Sequence, residues 1–138
     1  KITPCMENGK GAYVSNLKTR YAFGSTEFHV LRPMYKIEGK FLYYYTYNFY
    51  YRAYAEINMS GAAGQKRVST KFISYTVIYL PSTVEQKQIV KYLDDKLDKI
   101  SKIKENLQKQ IEKLQDYRKS IIHECVTGKR RITEKDIL

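Results

Sequence analysis

A chain of 138 residues, 43% hydrophobic and 28% charged, has the make-up of a folded protein with room for about one compact domain. No apolar run approaches the roughly 18 residues of a membrane span, and the opening Lys1-Ile2-Thr3-Pro4-Cys5 has none of the parts of a secretory leader, so a cytoplasmic chain without a membrane partner is expected. The formal net charge of +11 favours polyanionic partners, because clustered Lys and Arg displace the counterions condensed on them.

The first 81 residues hold Gly, Asn, Ser and a high density of tyrosine, twelve of the fourteen Tyr and all five Phe. They also hold most of the charge excess, since residues 1–82 carry eleven basic and four acidic side chains against fourteen and ten over 83–138. Charge alone does not separate DNA from RNA or an anionic membrane surface. Cys5 and Cys125 lie far apart with no Cys-x-x-Cys spacing and no His nearby in a ligand pattern, so reduced thiols and no metal site are expected.

Taken in order, Asn8-Gly9-Lys10-Gly11 is a glycine-bearing loop. Residues 26–31 alternate Phe28 and Val30 against Glu27 and His29, which predicts a strand. Phe41, Tyr45, Phe49, Ala53 and Ile57 recur every fourth residue and predict one amphipathic helix over 40–57. A second glycine-bearing loop, Ser60-Gly61-Ala62-Ala63-Gly64-Gln65-Lys66-Arg67, leads to another predicted strand over 72–80, rich in β-branched and aromatic residues.

Pro81 marks a change of grammar. Ser82-Thr83-Val84-Glu85 is a capping box, and no Gly or Pro follows until Gly128, which predicts one helix over 82–127. Leu93, Ile100, Leu107, Leu114 and Ile121 repeat every seven residues, and Leu97, Ile103, Ile111, Tyr117 and Cys125 widen the stripe into a coiled-coil seam. At about 1.5 Å per residue the helix runs to roughly 60 Å or more, too long for a small domain to bury, so a partner helix is expected. Lys96 and Gln110 interrupt the seam, as polar residues that set register or partner do, or as tolerated residues at a wet edge. The expected class is therefore α+β: a small, mixed, β-rich domain over 1–81, a long coiled-coil helix over 82–127 and a basic tail over 128–138.

Chemistry is sparse. There is no glycine-rich cofactor fingerprint, phosphate-binding loop, Asn-Pro-Pro-Tyr methylation motif or nucleophile with a base, so a non-catalytic chain without a cofactor is expected. His29 and His123 have no catalytic or metal-ligating company, and Asp94, Asp95 and Asp98 read as a solvated helix face. For nucleic acid, Gln65, Lys66 and Arg67 combine a phosphate-seeking cation with two planar groups able to pair with base edges, Arg67 with guanine and Gln65 with adenine. Asn8, Lys10 and Arg20 are second-rank DNA contacts, and Arg52 is placed to reach a phosphate. The tyrosines of 43–54 have helical spacing, which favours packing or a protein interface over stacking on bases.

Several segments resemble the specificity subunits of Type I restriction-modification enzymes. Lys1-Ile2-Thr3-Pro4-Cys5-Met6-Glu7-Asn8-Gly9-Lys10, Gly24-Ser25-Thr26-Glu27-Phe28 and Met59-Ser60-Gly61-Ala62-Ala63-Gly64-Gln65-Lys66-Arg67-Val68 resemble one type of target recognition domain. Leu80-Pro81, Glu85-Gln86 and Ile89-Val90-Lys91-Tyr92-Leu93-Asp94 look like the junction of that domain with a helix, and Tyr117-Arg118-Lys119-Ser120-Ile121-Ile122 with Val126-Thr127-Gly128-Lys129 like the end of that helix. The resemblance implies a reader of double-stranded DNA in which two recognition domains each bind half of a split sequence and two antiparallel helices set their separation. It also implies partners: modification subunits that methylate adenine with S-adenosylmethionine, and restriction subunits that cleave. With one helix and the later part of one recognition domain, the chain is expected to be either a fragment or a half-length form that homodimerises through antiparallel helices. The rival reading is a coiled-coil assembly protein whose basic surface is incidental.

Overall fold

The computed structural model describes residues 1–62 and 64–137; Ala63, in the second glycine-bearing loop, and Leu138 lie outside the described residues. The chain divides into two compact units, Lys1–Tyr92 and Leu93–Leu138. Helices α1 (Gly39–Tyr45) and α2 (Phe49–Ile57) come first, then strands β1 (Met59–Ser60) and β2 (Arg67–Val68), helix α3 (Thr70–Tyr75) and helix α4 (Thr83–Val126). A short 3-10 turn, Glu134–Asp136, closes the described chain.

The single helix expected over 40–57 is two helices. After Tyr45 the backbone turns at Thr46–Asn48, and the Asn48 side chain accepts from the amides of Tyr50 and Tyr51, starting a new helix in a new phase. The predicted stripe is accordingly broken. Phe41 is buried and Tyr45 and Ala53 are half-buried, but Phe49 and Ile57 are exposed, and the most deeply buried residue of α2 is Ala55, which lies off the stripe. Phe72 of α3 packs its ring against Tyr51 and Tyr54 at centroid distances of 6.0 and 5.3 Å. Tyr43 meets Tyr13, Tyr44 and Tyr47 in the same way, at 6.2, 5.5 and 5.0 Å. The tyrosine-rich segment thus packs largely against itself.

The β-rich character expected of 1–81 is not found. Among the described residues the sheet is the antiparallel pair β1 and β2, with Met59 opposite Val68 and Ser60 opposite Arg67. Ile2 adds an isolated antiparallel bridge to Arg67 on the other side. The expected strand over 26–31 is extended chain without a ladder, and its alternation is inverted: Phe28 and Val30 are exposed, while Glu27 and His29 are half-buried. Polar partners explain the inversion, since Arg67 binds Glu27 and the carbonyl of Val68 accepts from His29 Nε2 at 3.0 Å. The strand expected over 72–80 begins instead as α3, because Ser69 caps it by accepting from the Phe72 amide at 3.1 Å.

The N-terminal loop is held by Arg52. Its Nε donates to the carbonyl of Thr46 at 3.0 Å, its Nη1 to that of Glu7 at 3.3 Å, and its guanidinium stacks over the Tyr47 ring at 4.7 Å. Gly9, at φ +66°, lies so close that a Cβ there would collide with this guanidinium.

Helix α4 begins with the expected capping box, Ser82 N–H donating to Glu85 at 3.0 Å and Glu85 N–H to the Ser82 hydroxyl at 3.3 Å. One turn in, Gln86 is fully buried. Its Oε1 accepts from Glu38 N–H at 2.8 Å, and its Nε2 donates to the carbonyls of Lys36 and Pro81, both at 2.9 Å. Every residue from Asp95 to Ser120 is exposed, the seam residues Leu97, Ile100, Ile103, Leu107, Ile111, Leu114 and Tyr117 included. Gly128, at φ +73°, ends the helix by taking the left-handed conformation that glycine tolerates. No helix among the described residues is long and apolar enough to cross a membrane.

Candidate nucleic-acid interface

Three pieces of chain meet around β2. The first segment flanks it on one side, where Val68 N–H donates to the Lys1 carbonyl at 2.8 Å and Thr3 N–H donates to the Lys66 carbonyl at 3.1 Å. On the other side β2 pairs with β1. The third piece is 25–29, whose Glu27 carbonyl accepts from the Lys1 nitrogen at 3.0 Å and whose Glu27 N–H donates to the Ser25 hydroxyl at 3.1 Å.

Arg67 sits at the centre of this arrangement. Its Nε lies 3.1 and 2.9 Å from the two Glu27 carboxylate oxygens and its Nη2 3.0 Å from Oε1, while Nη1 donates to the Gln65 carbonyl at 3.2 Å. The pair stands at the surface, with 43% of the Arg67 and 32% of the Glu27 side chain exposed. Hydrogen bonding from Arg67 holds the Glu27 carboxyl below the usual carboxylate range, against a smaller opposing effect of burial. Burial pushes the His29 imidazole below its ordinary value, and the bond to Val68 partly offsets that.

Of the residues singled out from sequence, Gln65, Lys66 and Arg67 are therefore brought together at the edge of β2, the first two exposed. Asn8 and Lys10 are exposed on a turn closed by Asn8 N–H to the Pro4 carbonyl at 2.9 Å and Lys10 N–H to that of Cys5, also 2.9 Å. That turn directly follows the segment paired with β2. Arg20 stands apart on an exposed, irregular stretch, its guanidinium 5.7 Å from the ring of neighbouring Tyr21. Arg52, expected to reach a phosphate, gives two of its five N–H groups to backbone carbonyls, Nε to Thr46 and Nη1 to Glu7.

Glu27 and His29 escape a reading of the sequence because their alternation with Phe28 and Val30 looks like the solvent face of a strand. Only an acid and an imidazole with partners some forty residues away could reveal them, and periodicity carries no such information.

Comparison with known proteins places this geometry in context. A family model described as Type I restriction modification DNA specificity domain matches residues 6–113. The chain is 41% identical over 93 residues to the Type I restriction enzyme EcoAI specificity subunit of Escherichia coli, and 37% identical over 91 residues to the EcoEI specificity subunit of the same organism. Each match covers 65% of this chain and 15% of the relative's length. No solved structure gives a significant match.

Proposed function

Because the chain belongs to the Type I restriction modification DNA specificity domain family, we propose that it is a sequence-reading piece of a restriction-modification system that acts on double-stranded DNA in the cytoplasm. The observation that carries this reading is the family match, which runs without a break from the N-terminal turn through the β2 edge and into α4. Gln65, Lys66 and Arg67 face the duplex, Arg67 and Gln65 at base edges and Lys66 at phosphate, with Asn8, Lys10 and Arg20 as flanking contacts. Methylation of adenine from S-adenosylmethionine, and cleavage, belong to the modification and restriction subunits that assemble on it. The units 1–81, 82–127 and 128–138 act as reader, spacer and basic tail.

Helix α4 presents an exposed seam of heptad spacing, which supports antiparallel pairing with a second such helix, here that of another copy. In this reading the helix pair fixes the distance between two readers.

A titration of fluorescent duplex DNA with the chain over a salt series tests the proposal. A reader gives log affinity that falls steeply with log salt, and Lys66→Ala makes the slope shallower by about 0.9, because one phosphate is no longer neutralised. A flat salt response in the chain and in its complex with modification subunits would leave the rival, a coiled-coil assembly protein with an incidentally basic surface.

A further inference from the structure

We propose that Glu27 is a positioning residue for base reading: by clamping one edge of the Arg67 guanidinium it presents the remaining N–H groups, already oriented, to the edge of a guanine. The inference deepens the proposed function and rests on it.

Arg67 has five N–H donors in a rigid plane. Glu27 takes the Nε edge and one N–H of Nη2, and the Gln65 carbonyl takes one N–H of Nη1. Among the described residues that leaves one N–H on each terminal nitrogen uncommitted, on a side chain that is substantially exposed. In the proposed geometry the Gln65 carbonyl takes the Nη1 N–H on the Cδ side, so the two that remain lie parallel on the Nη1–Nη2 edge and match the O6 and N7 acceptors that only guanine offers together in the major groove.

Each component of the clamp is itself fixed. The Arg67 backbone is bracketed by Ser60 on one side and Ile2 on the other. The Glu27 backbone is tied at its carbonyl to Lys1 and at its amide to Ser25, and two residues on His29 is tied to Val68. A free arginine has many rotamers to lose on binding, whereas this one has lost them beforehand, which is how preorganisation raises affinity and sharpens discrimination. Stability is an incomplete account of the pair, since an ion pair with 43% and 32% of its side chains exposed adds only modestly to folding. Simple charge does not complete it, because an acid at a DNA-binding edge repels the phosphates it approaches.

That repulsion gives the test its sign. The specificity subunit containing this chain, assembled with modification subunits, is used to enrich duplexes from a randomised pool, and affinity is then measured for the enriched sequence, its single-base variants and random DNA. Arg67→Lys keeps the charge and removes the fork, so discrimination at one G·C pair falls roughly tenfold to a hundredfold while random-DNA affinity holds. Glu27→Gln lowers discrimination at that same pair about threefold to tenfold and leaves random-DNA binding equal or tighter, the combination that loss of folding cannot produce. In the Arg67→Lys background, Glu27→Gln has no further effect on discrimination.

Unchanged or improved discrimination in Glu27→Gln overturns the proposal, as does an undiminished Glu27→Gln effect in the Arg67→Lys background. Uniform weakening of Arg67→Lys on every sequence, with a shallower salt slope, assigns Arg67 to a phosphate and overturns it as well. All three outcomes leave sequence-dependent binding by the wild-type assembly intact. Failure of the pool to enrich any sequence overturns the proposed function itself, and the two failures are thereby distinguished.

Discussion

Gln86 offers the sharpest test of how the first unit is held to the start of α4. Its side chain is fully buried and satisfies three backbone groups: Glu38 N–H and the carbonyls of Lys36 and Pro81. Gln86→Leu keeps the approximate volume and removes all three bonds. The stranded Glu38 N–H costs about 1–3 kcal/mol and the two carbonyls about 0.5–1 kcal/mol each, since a carbonyl can find other partners more readily, for a total of about 2–5 kcal/mol. A unit of this size is stable by only about 5–14 kcal/mol, and the melting temperature should fall by about 8–40 °C. Thermal unfolding followed by tyrosine near-UV circular dichroism measures it, because the aromatic rings lie mostly in this unit. Gln86→Glu separates hydrogen bonding from volume. As a carboxylate it still accepts from Glu38 N–H through one oxygen but turns the other, also an acceptor, towards the two carbonyls, so at pH 7 it is no more stable than Gln86→Leu. It recovers part of the loss as pH falls, because a buried carboxyl protonates readily and then donates. If Gln86→Leu melts within a degree or two of the wild type, the bonds are not what fixes this junction.

Gly9→Ala should cost more than about 1 kcal/mol, because it adds the penalty of a left-handed backbone to a collision with the Arg52 guanidinium; chemical denaturation reads the loss, and Arg52→Ala should remove the steric part of it. Stability should decline towards acid in two steps. His29 has a folded-state pKa below its ordinary 6.5, so the folded form binds fewer protons and stability present above about pH 6.5 is lost as pH falls below it. Glu27, held low by Arg67, and Glu85, held low by the Ser82 side chain and amide, contribute stability above their ordinary 4.5 that is lost as pH falls through their lower folded values. Denaturant midpoints between pH 7.5 and 3 separate the two arms, and His29→Gln should flatten the upper one only. On the proposed pairing of α4 with a second copy, Leu107→Lys, at the middle of the exposed seam, should abolish self-association in sedimentation velocity while leaving the tyrosine melting transition of the first unit where it was.

The parts of the fold that local chemistry decides are readable from sequence. Ser82 and Glu85 start α4, Gly128 stops it, and between them nothing disfavours a helix, so one segment of sequence determines 44 residues of structure. The helix pair α1 and α2 reads as one helix because a four-residue recurrence of aromatics crosses a capping residue. Asn48 is at once tolerable inside a helix and better at its start, and its bonds with Tyr50 and Tyr51 decide the choice. Capping also overrules strand propensity at Phe72, where the hydroxyl of Ser69 bonds the Phe72 amide.

The candidate interface is legible only as a set of residue types, and the reason is physical. Gln65, Lys66 and Arg67 announce base- and phosphate-seeking groups in any sequence, but a guanidinium is a reader only if something holds its plane. In the proposed reading that something is Glu27, forty residues earlier, on a segment whose alternation suggests that its apolar side chains point inward. The inversion of that alternation and the organisation of Arg67 are one event: Phe28 and Val30 face outward because Glu27 and His29 are drawn inward by β2. The exposed Phe28 and Val30 therefore follow from the Arg67 geometry, and Glu27→Gln, which weakens the tether without removing it, should loosen the 25–29 segment first. Amide hydrogen exchange at Phe28, whose N–H donates to the Ser25 carbonyl at 3.2 Å, should accelerate in Glu27→Gln while exchange within α2 stays unchanged. Equal acceleration in both would mean that the pair supports the whole unit, and that the orientation of Arg67 is a by-product of packing.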